Sequence, residues 1–187
     1  MQLPARPHHK SLGNVGFTTT ELLVVLAIVG ILATLALPGF HDLIDRYRVR
    51  QATEDLTATI YLARTEAIKR GGEVILRKAT LADCAGSADA ARWECGWFIF
   101  VDGNNNNLLE SDELLVQTSP AAPGVRILFT SKHAAMPVDR WGQFNGSGAF
   151  GFIVQSARNG STANPVALCM TSGGRLATKI GATACQS

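Results

Sequence analysis

From Leu22 to Leu37 the chain carries no charged residue, and the run is preceded by one acid, Glu21, and by a short basic leader holding Arg6 and Lys10. A run of this kind is long enough to enter a bilayer and too apolar to be left in water. The order of its flanks constrains what the chain can become. In a secretory signal peptide the small-residue cleavage site follows the apolar region, which is then discarded. Here the small residue, Gly16, comes first, so cutting there would keep the apolar run as part of the folded product. A carboxylate at the membrane end of a helix costs roughly 2.5 kcal/mol or more and wants a partner, which marks Glu21 as functional unless it merely snorkels to the interface.

The string Gly16-Phe17-Thr18-Thr19-Thr20-Glu21, followed by Leu-Leu-Val-Val-Leu-Ala-Ile-Val-Gly-Ile-Leu-Ala, resembles the class III signal of type IV pilins and type II secretion pseudopilins. The resemblance implies cleavage after Gly16 by a membrane aspartyl prepilin peptidase and N-methylation of Phe17. It also implies that Glu21, the fifth residue of the cut chain, pairs with the free amine of a neighbouring subunit and sets the register of assembly. Pro38 stands where that family often carries a helix-bending proline.

Composition places the rest. The formal charge of +2 resides in the leader, so the chain beyond it is balanced and lacks the broadly basic surface of a general nucleic-acid binder. Arg46, Arg48 and Arg50 follow the apolar run, so charge asymmetry does not decide orientation. The cysteines fall into two local pairs, Cys84 with Cys95 and Cys169 with Cys185, a spacing that suits disulfides in an oxidising periplasm. Four cysteines allow three connectivities, and free buried thiols are the alternative. Neither pair has the tight spacing of a zinc site.

The expected organisation is a leader over residues 1–16, one helix from Phe17 to about Arg70 with 17–40 in the membrane, and a globular β domain over 71–187. At about 1.5 Å per residue such a helix is on the order of 80 Å long, so its first half needs cover from lipid or other subunits. Its second half carries apolar or small residues at Phe40, Leu43, Ile44, Tyr47, Ala52, Leu56, Ile60, Ala63 and Ala67, a stripe that should pack on a sheet. Gly71-Gly72 is a natural stop. Strands are expected over Glu73–Ala79, Gly96–Asp102, Glu113–Thr118, Val125–Thr130, Ala149–Val154, Val166–Thr171 and Arg175–Lys179. Both faces of Trp97–Val101 are apolar, which predicts a strand covered on two sides.

The run Tyr61–Gly71, YLARTEAIKRG, resembles the helix end of the GspH/FimT minor pilins, and Gly96–Asn104, GWFIFVDGN, resembles their strand and turn. The chain is thus identified as a member of that family. The resemblance implies an α+β, type IV pilin-like fold, with a long N-terminal helix packed on an antiparallel β domain. It further implies a minor pilin or pseudopilin held in the inner membrane, its domain in the periplasm, that primes or caps a type IV pilus or type II secretion pseudopilus. The expected partners are other pilin or pseudopilin subunits, the prepilin peptidase, the inner membrane, and DNA or a secretion substrate.

Two constellations carry further expectations. Asp102, Asn104, Asn106 and Glu113 take positions 1, 3, 5 and 12 of a calcium loop, though Asn107 stands where glycine is usual and the flanks read as strands. A polar hairpin tip is the plainer reading. Near the C-terminus, Gly174 and Arg175 match the start of a Gly-Arg-x-Arg motif of DNA-uptake members of the family, but Ala177 replaces the second arginine. On a strand Arg175 and Lys179 share a face, so Lys179 could supply the second phosphate contact, with Arg158 adding to the patch. Solvated charges that blunt an edge strand are the alternative. No catalytic cluster is apparent, since His8, His9, His41 and His133 are scattered.

Overall fold

The computed structural model describes residues 17–144 and 148–185, those at 35–39 by backbone alone. The expected leader, Gly16 included, lies outside the described residues, as does the side chain of Pro38. The chain divides into two compact units, Met1–Gly39 and Phe40–Ser187, and one helix, α1 (Thr19–Arg70), enters both.

In the first unit the helix begins behind Thr18, and the side chains from Leu22 to Leu32 are exposed on every face. Among the described residues no helix is long and apolar enough to cross a membrane.

The second unit is built from α1 and eight strands, β1 (Val74–Lys78), β2 (Trp97–Val101), β3 (Leu115–Ser119), β4 (Val125–Phe129), β5 (Ala135–Val138), β6 (Phe150–Ser156), β7 (Val166–Met170) and β8 (Leu176–Ile180). They form two four-stranded sheets, β3-β2-β1-β5 and β4-β6-β7-β8, antiparallel throughout. Both sheets contribute to one core. Val49, Ala52, Leu56, Ile60, Ala63 and Ala67 of the helix meet Leu76, Trp97 and Ile99 of the first sheet and Ile127, Phe152 and Leu168 of the second. Spacings of three and four keep those helix residues on one face.

Three expectations change. Strand β5 was not foreseen, because it is four residues long and holds Pro137; it lies at the edge of its sheet, where a missing N–H is tolerated. The helix stripe does not run through Phe40, Leu43, Ile44 and Tyr47, which are all exposed. At that level the buried positions are Asp45 and Val49, since a polar loop rather than an apolar strand reaches the helix there. Finally, among the described residues no third sheet lies over the face of β2 that carries Phe98 and Phe100. Arg77, paired with Phe98, donates from Nη1 to the Asn107 carbonyl and ties the loop after β2 to this sheet.

Two glycines show why the family-like strings read as they do. Gly71 ends α1 with φ of 83°, and Gly72 then donates to the Ala67 carbonyl at 2.8 Å, closing the last turn. Gly96 enters β2 with φ of 98°, and a Cβ there would lie 2.6 Å from the Ser119 carbonyl oxygen. Only glycine fits a backbone approached that closely in a left-handed conformation.

Candidate functional site

At the start of α1, Thr18 Oγ1 accepts the Glu21 N–H at 3.2 Å while Glu21 Oε2 accepts the Thr18 N–H at 3.4 Å. This reciprocal pair is a capping box, and it satisfies two amide donors that the first turn of a helix leaves without partners. Glu21 therefore has a local task in the single chain beyond the register role expected of it. The Thr-x-x-Glu spacing of Thr18 and Glu21 is the sequence signature of that box. Phe17, at the expected cut, is 88% exposed.

Two arginines fasten loops to the second unit's helix. Arg64, from the YLARTEAI run, donates from Nε to the Gly142 carbonyl at 2.9 Å and from Nη1 to the Gly174 carbonyl at 2.8 Å. One planar guanidinium thereby ties two turns, one between β5 and β6 and one between β7 and β8, to α1. Arg158, in the loop between β6 and β7, donates to both Asp42 and Asp45, while Ser161 and Thr162 donate to the same carboxylates at 2.7 and 2.6 Å. Hydrogen bonds from Thr162 and Arg158 hold the Asp42 carboxyl below the usual range, and those from Ser161 and Arg158 do the same for Asp45. The basic patch expected to include Arg158 is thus not formed by it: its charge is matched on the helix.

The loop after β2 is closed by its own oxygens. Asp102, 1% exposed, accepts N–H bonds from Asn106 and Asn107; Asn104 accepts from Asn106, and Asn106 from Leu108. Glu113 accepts from Gly103 and Glu110. Each side chain expected to ligate calcium is engaged with the loop's backbone, which folds it as a polar hairpin tip. Asn105 and Asn107 supply the left-handed conformation, with φ near 59° and 58°. Among the described residues no group of three or more His, Cys, Asp or Glu side chains is disposed to hold a metal ion.

Cys84 is bonded to Cys95 and Cys169 to Cys185. The first bridge closes a loop around Lys78, whose buried ammonium donates to the carbonyls of Gly86, Ser87 and Asp89. The second pins the C-terminal segment across the outer face of β6 and β7, with Ile153 and Ala167 beneath it. β8, which carries Lys179, is an edge strand, and Arg175 stands exposed immediately before it. Ala177 and Lys179 oppose Cys169 and Ala167, on the face that the second bridge covers.

Comparison with known proteins decides the family. The pattern described as Type II transport protein GspH matches residues 52–178, the C-terminal end of the helix and nearly all of both sheets. The chain belongs to the GspH family. Its fold is that of the type IV minor pilin FimU of Pseudomonas aeruginosa: two crystal structures of that protein superpose with TM-scores of 0.52 and 0.54 at 19% identity, covering 74% and 76% of this chain and 98% and 96% of theirs. Among curated relatives, the Pilin-like protein PilA1 of Thermus thermophilus is 37% identical over 98 residues, which is 52% of this chain and 54% of that one. A Fimbrial protein of P. aeruginosa is 40% identical over 60 residues, 32% and 38% of the two chains. The match thus spans about half, or less, of those relatives' length. The curated relatives are named as a pilin-like and a fimbrial protein, and the type IV pilin-like α+β fold follows from the likeness to FimU.

Proposed function

We propose that the chain is a minor pilin or pseudopilin subunit that primes or caps assembly of a type IV pilus or a type II secretion pseudopilus. The observation that carries this reading is the helix of the first unit. Its side chains from Leu22 to Leu32 are exposed and apolar on all faces behind a capped Glu21, in a chain whose second unit is a GspH domain. A surface of that kind needs lipid before assembly and neighbouring helices after it. In this reading prepilin peptidase cuts after Gly16, Phe17 is methylated, the helix holds the subunit in the inner membrane, and the disulfide-stapled domain stands in the periplasm. Glu21, released from its cap, meets the amine of a neighbouring subunit.

The test is mass measurement of the chain from cells with and without the peptidase, together with filament incorporation of Glu21→Ala. A mature form beginning at methylated Phe17, and loss of incorporation in the variant, are expected. An uncut chain, or normal incorporation of Glu21→Ala, would remove the reading. The alternative, a DNA receptor for natural transformation, has less support, since Ala177 separates Arg175 from Lys179 and Arg158 is matched by two carboxylates.

A further inference from the structure

The loop between β6 and β7 contains Arg158-Asn159-Gly160-Ser161, whose outer members belong to the anchor on α1. The Ser161 N–H closes these residues into a turn on the Arg158 carbonyl at 3.4 Å. Gly160 takes φ of 74°, a left-handed conformation that suits glycine. Asn159 and Gly160 are both exposed, and among the described residues neither the Asn159 side chain nor the Gly160 N–H has a hydrogen-bond partner. A Cβ added to Gly160 would meet nothing within 4 Å, so the space around it is open.

Asparagine is among the thermolabile residues. Its weak point is the carboxamide carbon, which the main-chain nitrogen of the next residue can reach by closing a ring. Glycine in that next place lacks the side chain that would hinder the approach.

We propose that Asn159 is a site of spontaneous deamidation, and that the change slackens the fastening of this loop to α1. The Gly160 nitrogen attacks Cγ of Asn159. A C–N bond forms, the bond from Cγ to Nδ2 breaks, and ammonia leaves with the proton that the Gly160 nitrogen gives up. Water then opens the cyclic imide at either carbonyl, giving aspartate or isoaspartate without oxidation or reduction.

Either product puts a new carboxylate next to Arg158, whose charge Asp42 and Asp45 already match. A third acid there is repelled by the other two. The isoaspartate branch also adds one carbon to the main chain between Arg158 and Ser161, which shifts Ser161 and Thr162 from the helix carboxylates they bond. The related cyclisation at Asp102-Gly103 is opposed by the fold. That carboxyl is buried and accepts two N–H bonds, and the Gly103 N–H is held by Glu113 at 3.1 Å. Asn145-Gly146 lies outside the described residues.

The experiment ages the full-length chain in detergent at mildly alkaline pH beside a sample unfolded in urea. Both are digested with pepsin in acid, where the cyclisation stops, and the peptide holding Asn159 is weighed. Its amide should become an acid in the folded chain at a rate within a few-fold of that in urea, whereas Asp102 should isomerise in urea alone. An amide at Asn159 that persists in the folded chain while the unfolded chain converts overturns the site. Asn159→Gln, which must close a larger ring, should resist ageing and keep its melting midpoint. The aged unmodified sequence should melt below the fresh one, and Asp42→Asn with Asp45→Asn should remove that difference. Equal melting of fresh and aged chains, or a difference that survives loss of both carboxylates, overturns the slackening.

Discussion

Arg158 donates from Nε to Asp45 Oδ2 at 2.8 Å, joining positions 113 residues apart. The same guanidinium reaches Asp42, and Ser161 and Thr162 complete the anchor. Both carboxyls titrate below their ordinary range in the folded chain, so the unfolded chain binds more protons at acid pH and stability rises with pH there. The contribution is fully present above the unfolded carboxyl value of about 3.9 and is lost as pH falls through the lower folded values. Thermal melts of the full-length chain in detergent should show an acid limb below about pH 4 that is flattened in Asp42→Asn/Asp45→Asn. Arg158→Ala should lower the midpoint at neutral pH.

Trp97 donates from Nε1 to Thr59 Oγ1 at 3.0 Å, and that hydroxyl donates in turn to the Asp55 carbonyl. Both side chains are buried between helix and first sheet. Thr59→Val keeps the shape and leaves the indole N–H without an acceptor, which should cost about 1–3 kcal/mol. Thr59→Ser should recover most of the loss in denaturant titrations. Equal effects of the two substitutions would mean that packing, not the hydrogen bond, matters at this site.

Asp102→Ala removes the acceptor for two backbone donors at the hairpin tip and should destabilise by about 1–3 kcal/mol. Because each expected calcium ligand is already engaged with the loop's backbone, the melting midpoint should be the same in chelator and in calcium. A rise with calcium that disappears in Glu113→Gln would instead establish calcium binding at this loop.

Lys78 offers three protons to three carbonyls inside the loop closed by Cys84 and Cys95. Burial pushes the ammonium's pKa down, and the nearby charges of Asp89 and Glu94 oppose that shift. Lys78→Met should cost at least about 2 kcal/mol, the scale of hydrogen bonds to a charged group. Limited proteolysis should then cut selectively between Ala79 and Ala91, with the rest of the domain still resistant.

What the sequence made legible follows from the range over which each signal acts. Strands β1–β4 and β6–β8 fall close to their expected spans because alternation and turn residues are local, and α1 ends where Gly71-Gly72 says it should. Strand β5 was hidden by Pro137, which is acceptable only at an edge, and edge status is a property of the assembled sheet. The helix stripe failed at Phe40, Leu43, Ile44 and Tyr47 because apolar periodicity does not say how far a sheet extends. The arginine anchors were equally invisible. Arg64 grips main-chain carbonyls, which have no residue signature, and Arg158 meets carboxylates more than half the chain away.

The single core that holds the second half of α1 takes its walls from strands as early as Val74 and as late as Met170. During synthesis the helical segment is complete long before the last of those strands exists. Its apolar face therefore has no native cover for most of the chain's production, and a nascent chain that stops before β7 has only half a cavity to fold against. Completion of the domain is then a late event of high contact order, in which both sheets and the helix commit together rather than hairpin by hairpin.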